Sequence, residues 1–192
     1  MDSSKPELLP VFTGLPLTQI SLFEQGQDVI SALALLMHAD VLGFDTESKP
    51  TFRKGEESTG PHLIQLSTDT HAYLFQVGAH YFPEGLKSVL ESHKILKVGI
   101  GLGNDRRDLL NKFGVTLANV TDLARAIRIP GHRGDVGAKS AVAHFFGMRL
   151  IKSKKVGTSN WSNKQLTEAQ ILYAANDAYV ALKAHRASLT WK

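Results

Sequence analysis

Residues Val41–Glu47 read as an apolar strand that ends in two acids, with Val41, Leu42, Gly43 and Phe44 leading into Asp45, Thr46 and Glu47. Side chains alternate along a strand, so Asp45 and Glu47 share one face, while Leu42, Phe44 and Thr46 take the other. Two like charges about 4 Å apart repel by roughly 4 kcal/mol at an effective dielectric of about 20. Either one carboxyl keeps its proton or a cation lies between the two. Two hard oxygen ligands suit Mg²⁺ or Mn²⁺. A chain built on this strand has to fold so that other elements serve the acid pair.

The remaining pattern predicts an α/β fold. Residues 18–23, 62–67, 72–75, 95–100 and 119–122 read as further strands, the second and third joined as a hairpin by a polar turn. Helices are expected over residues 26–39, 84–92, 106–113, 123–127, 138–146 and 167–185. Thr167 and Gln170 have capping-box spacing at the start of the last one. Residues 48–61 are rich in Gly, Ser, Lys and Glu and read as a loop beside the acids. Residues 149–161 read as irregular and basic. The 192 residues, 43% of them apolar, fit a single domain over 17–192, preceded by a proline-containing surface arm over 1–16.

Several chemistries are excluded by composition. Cysteine is absent, which removes disulfides, thiolate zinc sites and a cysteine nucleophile. None of the eight histidines forms a His-x-x-x-His pair, and no Gly-x-Ser-x-Gly elbow occurs. Gly99, Gly101 and Asn104 break the dinucleotide fingerprint at its third glycine. No apolar run is long enough to span a bilayer and no apolar leader opens the chain, so no membrane association is expected. A cytoplasmic location follows as the expectation, nuclear in a eukaryote. The net charge of +4 around a local acidic cluster suits a polyanion held near metal ions.

The last predicted helix is apolar nearly all round, so Asp177 in its middle needs a cation or a hydrogen-bond partner. Tyr173 lies four residues earlier on the same face, where its hydroxyl can position a water. Taken alone, this pair reads better as a tie between helix and core. Asp105 opens a helix after a glycine-rich strand end, where it or Asn104 could act as a cap. Asp122 also reads as a cap.

In order, Asp45, Glu47, Asp105, Tyr173 and Asp177 resemble the DEDDy branch of the DnaQ-like 3′–5′ exonucleases, which have the ribonuclease H-like fold. Residues 43–47, 63–66, 97–99, 159–162 and 173–179 resemble the Werner-type exonuclease domains, and ribonuclease D less closely. Leu172 stands where the histidine branch would carry its base. Ser48, Lys49 and Pro50 replace the bulky aromatic residues of the Werner-type domains.

The resemblance implies a mixed sheet of about five strands flanked by helices, and two divalent ions, Mg²⁺ or Mn²⁺. It implies metal ligation by Asp45, Glu47, Asp105 and Asp177, with Tyr173 orienting the attacking water. The reaction implied is two-metal hydrolysis of single-stranded or 3′-ended DNA or RNA to 5′-mononucleotides. Lys49, Arg53, Lys54, Arg106, Lys152, Lys154 and Lys155 are expected on phosphates, and Trp161 either stacks a base or anchors the core. The length leaves no room for a helicase segment, so a homo-oligomer or a helicase partner is expected to supply processivity or targeting. The alternative is a catalytically silent nucleic-acid-binding module of the same fold.

Overall fold

The computed structural model describes residues 9–51, 55–56, 58–78 and 80–191. Strands β1 (Ile20–Phe23), β2 (Val41–Glu47), β3 (Leu63–Ser67), β4 (Ala72–Gln76), β5 (Leu96–Gly99) and β6 (Val120–Asp122) form one mixed sheet in the order β1-β4-β3-β2-β5-β6. All six fall on strands read from the sequence, one more than the five or so that the resemblance implies. The acid-bearing strand β2 lies inside the sheet, antiparallel to β3 and parallel to β5.

The helices are α1 (Ile30–Met37), α2 (Leu86–Leu90), α3 (Asp105–Phe113), α4 (Leu123–Ala126), α5 (Ala138–Phe146), α6 (Lys154–Gly157) and α7 (Glu168–Thr190). Helix α1 is shorter than its apolar periodicity suggests. The Asp28 carboxylate takes the Ile30 N–H at 2.8 Å, and the helix starts there. Helix α6 interrupts the stretch expected to be irregular, begun by the Ser153 hydroxyl accepting from Val156 N–H. Helix α7 runs five residues past its expected end, opened by the full Thr167–Gln170 capping box.

Each face of the sheet buries its own core. Leu42 and Phe44 of β2 join Ile64, Leu66 and Phe75 against Leu33, Leu36, Leu86 and Leu109 from α1, α2 and α3. On the opposite face, Leu63, Ala72 and Leu74 meet Ala174 and Ala175 of α7, and Val98 packs with Ala181 and Leu182. Alanines on α7 and Gly43 on β2 let helix and strand approach closely. A Cβ on Gly43 would lie 2.0 Å from the Ala178 carbonyl oxygen. This contact draws α7, and Asp177 with it, onto the strand that carries Asp45 and Glu47.

Of the arm expected over 1–16, residues 1–8 lie outside the described residues, and residues 9–16 are pinned to the same region. Phe12 N–H donates to Arg149 O at 3.0 Å, and Arg149 N–H donates to Pro10 O at 2.8 Å. Leu15 is buried, and its N–H donates to Asn176 Oδ1 at 2.8 Å, one residue from Asp177. Among the described residues, no helix is long and apolar enough to cross a membrane.

Candidate active site

Asp45 and Glu47 lie on the α7 side of β2, and Asp177 descends onto them. One oxygen from each of the three lies within 4.8 Å of the others. Asp177 is 9% exposed, so its charge has little water to dilute it. Burial pushes the Asp45 carboxyl well above the usual range, with Asp177, Asp105 and Glu47 adding to the rise. Burial and then Asp177 push Glu47 up to about 8. Burial also raises Asp177, against the opposing pull of Lys152. Three crowded acids with raised proton affinity form an all-oxygen donor set that a hard divalent cation fits.

Asp105 stands beside this group but outside it. It is the first residue of α3, and Asn104 occupies the cap without a side-chain bond. The Thr46 hydroxyl donates to Asp105 Oδ1, which ties the aspartate to the face of β2 opposite Asp45 and Glu47. Its charge still reaches Asp45. Asp122 holds the loop that leads into α3, accepting from Gly101 N–H at 2.8 Å and Leu102 N–H at 3.0 Å. It also caps α4 through Ala124 N–H at 3.0 Å.

Tyr173 faces the cluster from α7, one turn before Asp177. Burial and then Asp177 raise its phenol above the ordinary value, so it stays neutral. Gly157 backs the hydroxyl closely, and a Cβ there would lie 2.5 Å from it.

The expected nucleic-acid contacts separate. Trp161 is 1% exposed, and its indole N–H donates to Gly157 O at 3.1 Å. Its ring lies 6.0 Å from that of Tyr173. Of its two expected roles it takes the core anchor, because no face is open to a base. Lys152 is not on the surface with the other lysines. Its ammonium is 2.8 Å from Asp177 Oδ2 and 4.9 Å from the Tyr173 ring centroid. Lys154 and Lys155 are exposed on α6, Arg106 is exposed on α3 and Lys49 is half-buried. Arg53 and Lys54 lie outside the described residues.

Gln65 lies in the 63–66 stretch that carries the resemblance but is not among the expected site residues. It pairs with Asp45 across β2 and β3, which puts both side chains on one face of the sheet. It is fully buried, and neither amide atom has a hydrogen-bond partner. The signal available was a lone amide in an apolar strand, beside a strand that ends in acids.

A family model described as 3′-5′ exonuclease matches residues 21–187 of this chain. The chain belongs to the 3′–5′ exonuclease family. A mouse relative, the bifunctional 3′-5′ exonuclease/ATP-dependent helicase WRN, is 36% identical over 149 residues, covering 77% of this chain and 11% of the mouse protein. An Arabidopsis thaliana 3′-5′ exonuclease is 30% identical over 146 residues, covering 73% of this chain and 49% of that protein. The chain therefore spans half or less of the length of both relatives.

Family membership carries over to the fold. The EXO domain of Aedes aegypti Nibbler superposes with a TM-score of 0.71 at 24% identity, covering 90% of this chain and 88% of that one. Escherichia coli RNase D superposes at 0.72 with 22% identity, covering 89% of this chain and 45% of that one. The six-stranded sheet with flanking helices is that of the ribonuclease H-like exonucleases.

Proposed function

We propose that this chain is a metal-dependent 3′–5′ exonuclease that hydrolyses DNA or RNA from the 3′ end to 5′-mononucleotides. The reading rests on one observation above all: Asp45, Glu47 and Asp177 converge within 4.8 Å in a chain of this family. The 17–192 segment acts as one catalytic domain, with residues 9–16 laid against it.

Asp45, Glu47 and Asp177 would hold the metal, and Asp105, whose charge reaches Asp45, would serve a second ion. Two divalent ions, Mg²⁺ or Mn²⁺, would activate water for in-line attack on the last phosphodiester and stabilise the leaving 3′-oxygen. Tyr173 orients the attacking water through its neutral hydroxyl, held in place by Gly157 and by the packing of its ring on Trp161. Lys49, Arg106, Lys154 and Lys155 hold the strand by its phosphates, a sequence-independent attraction that weakens with salt.

The test uses 5′-labelled single-stranded DNA and RNA oligonucleotides with Mg²⁺ or Mn²⁺. A ladder shortening from the 3′ end is expected, abolished by chelator and by the Asp45→Ala/Asp177→Ala double variant. Retardation of the oligonucleotide without any ladder from the wild type would favour the binding module of the same fold.

A further inference from the structure

Three crowded acids, Asp177 buried and Asp45 and Glu47 half-buried, favour a nearby cation, and the metal-free chain supplies one of its own. Among the described residues, Lys152 is the one basic side chain within ion-pair distance of the cluster. Its ammonium lies 2.8 Å from Asp177 Oδ2, and its charge also reaches Asp45 and Glu47. Its side chain is 29% exposed, so the ion pair is partly shielded from water.

The placement of Lys152 is tied to both ends of its segment. Arg149 is bonded to Pro10 and Phe12 on one side, and Ser153 opens α6 on the other. The backbone is thus held, while the four-carbon stem keeps its rotamers. Beside it lies a cleft of about 300 Å³, lined by Phe12, Ile151, Lys152, Leu172, Tyr173 and Asp177. The cleft gives the ammonium somewhere to go when it leaves Asp177.

An ammonium and a divalent ion cannot share this position. Both would draw on the Asp177 carboxylate, and they repel each other at close range in a poorly hydrated site. We propose that Lys152 is an exchangeable counter-ion of the active site: its ammonium occupies a cation position at Asp177 in the metal-free protein and leaves it for the cleft when a divalent metal loads. Lys152 thereby sets the metal concentration at which the site fills. The inference rests on the proposed reading of Asp45, Glu47 and Asp177 as metal ligands.

The experiment is calorimetric titration of the purified chain with Mn²⁺, comparing wild type, Lys152→Met and Lys152→Arg. Removing the charge should tighten Mn²⁺ binding by about tenfold or more, and Lys152→Arg should stay within about threefold of wild type. Thermal unfolding gives a second readout. In chelator, Lys152→Met should melt below wild type, and Mn²⁺ should raise its Tm by more than it raises the wild-type Tm. Unchanged or weaker Mn²⁺ binding by Lys152→Met would overturn the proposal. Should that variant not stay folded in chelator, Lys152→Gln, which keeps a donor without the charge, carries the same comparison.

Metal binding is read here independently of cleavage. Tighter Mn²⁺ binding in a protein that degrades no oligonucleotide would strike the exonuclease reading alone. Unchanged binding in an active nuclease would strike the role of Lys152 alone.

Discussion

Gly43 and Ala178 meet backbone to backbone, and a Cβ at residue 43 would lie 2.0 Å from the Ala178 carbonyl oxygen. The obstacle is main chain, which cannot swing aside. Gly43→Ala should push α7 off β2 and carry Asp177 away from Asp45 and Glu47. We expect a stability loss of about 1–3 kcal/mol, as for other overpacked sites, together with loss of nuclease activity. Urea unfolding beside the oligonucleotide assay would check it. A variant of wild-type stability and activity would refute this account of how the acids are brought together.

Gly157 and Tyr173 predict a coupling. A Cβ at residue 157 would lie 2.5 Å from the Tyr173 hydroxyl. Gly157→Ala should displace that hydroxyl and lower kcat, and Tyr173→Phe should lower it by about a hundredfold, in the range for a residue that positions a reacting group. Combined, the two should cost little more than Tyr173→Phe alone, since the second change removes the atom that the first disturbs. Strictly additive losses in the double-variant cycle would refute the link.

Asp122 serves three backbone donors, Gly101, Leu102 and Ala124. Asp122→Ala should cost about 1–3 kcal/mol through the lost cap and the unpaired N–H groups. It should also loosen the loop ahead of Asp105, so activity should fall further than the fraction unfolded explains. Chemical denaturation paired with kcat on the folded fraction separates the two effects.

Stability of the metal-free protein should fall as pH rises. The Glu47 carboxyl is raised from 4.5 to about 8 in the fold, so the folded state holds a proton that the unfolded chain has released. Stability from this group is full below about pH 4.5 and is lost as pH climbs toward about 8. His62, lowered from 6.5 to about 4, acts in the opposite sense, but only below about pH 6.5. Lys97, lowered by burial from 10.5 to about 8, also opposes it and does so within this window, so between pH 7 and 8 these groups together leave a loss of about 0.5 kcal/mol in chelator, diminished by saturating Mn²⁺. Urea unfolding at both pH values, with and without Mn²⁺, reads it. A metal-free stability that rises across that interval would contradict the prediction.

Much of the site is local and therefore readable in one dimension. A period of two puts Asp45 and Glu47 on one face of β2, and a spacing of four puts Tyr173 one turn from Asp177. The Thr167–Gln170 capping box marked the start of α7 for the same reason. Helix ends were less legible. The periodicity of α1 runs back into residues that the Asp28 carboxylate withholds from the helix, and α7 continues past its expected end.

What the sequence determined on its own is which residues can act together within one element. The tertiary structure decided which elements meet. A glycine at 43 and alanines along α7 allow contact, but only packing shows that the contact lands Asp177 on β2. Lys152 and Lys154 are alike in sequence, yet one ammonium is drawn to the buried Asp177 carboxylate and the other stays in water. Trp161 carried two readings until its indole was found bonded to Gly157 and enclosed. The physical reason is common to all three. Backbone periodicity is set by neighbours in the chain, whereas burial and electrostatic pairing are set by residues far apart in it.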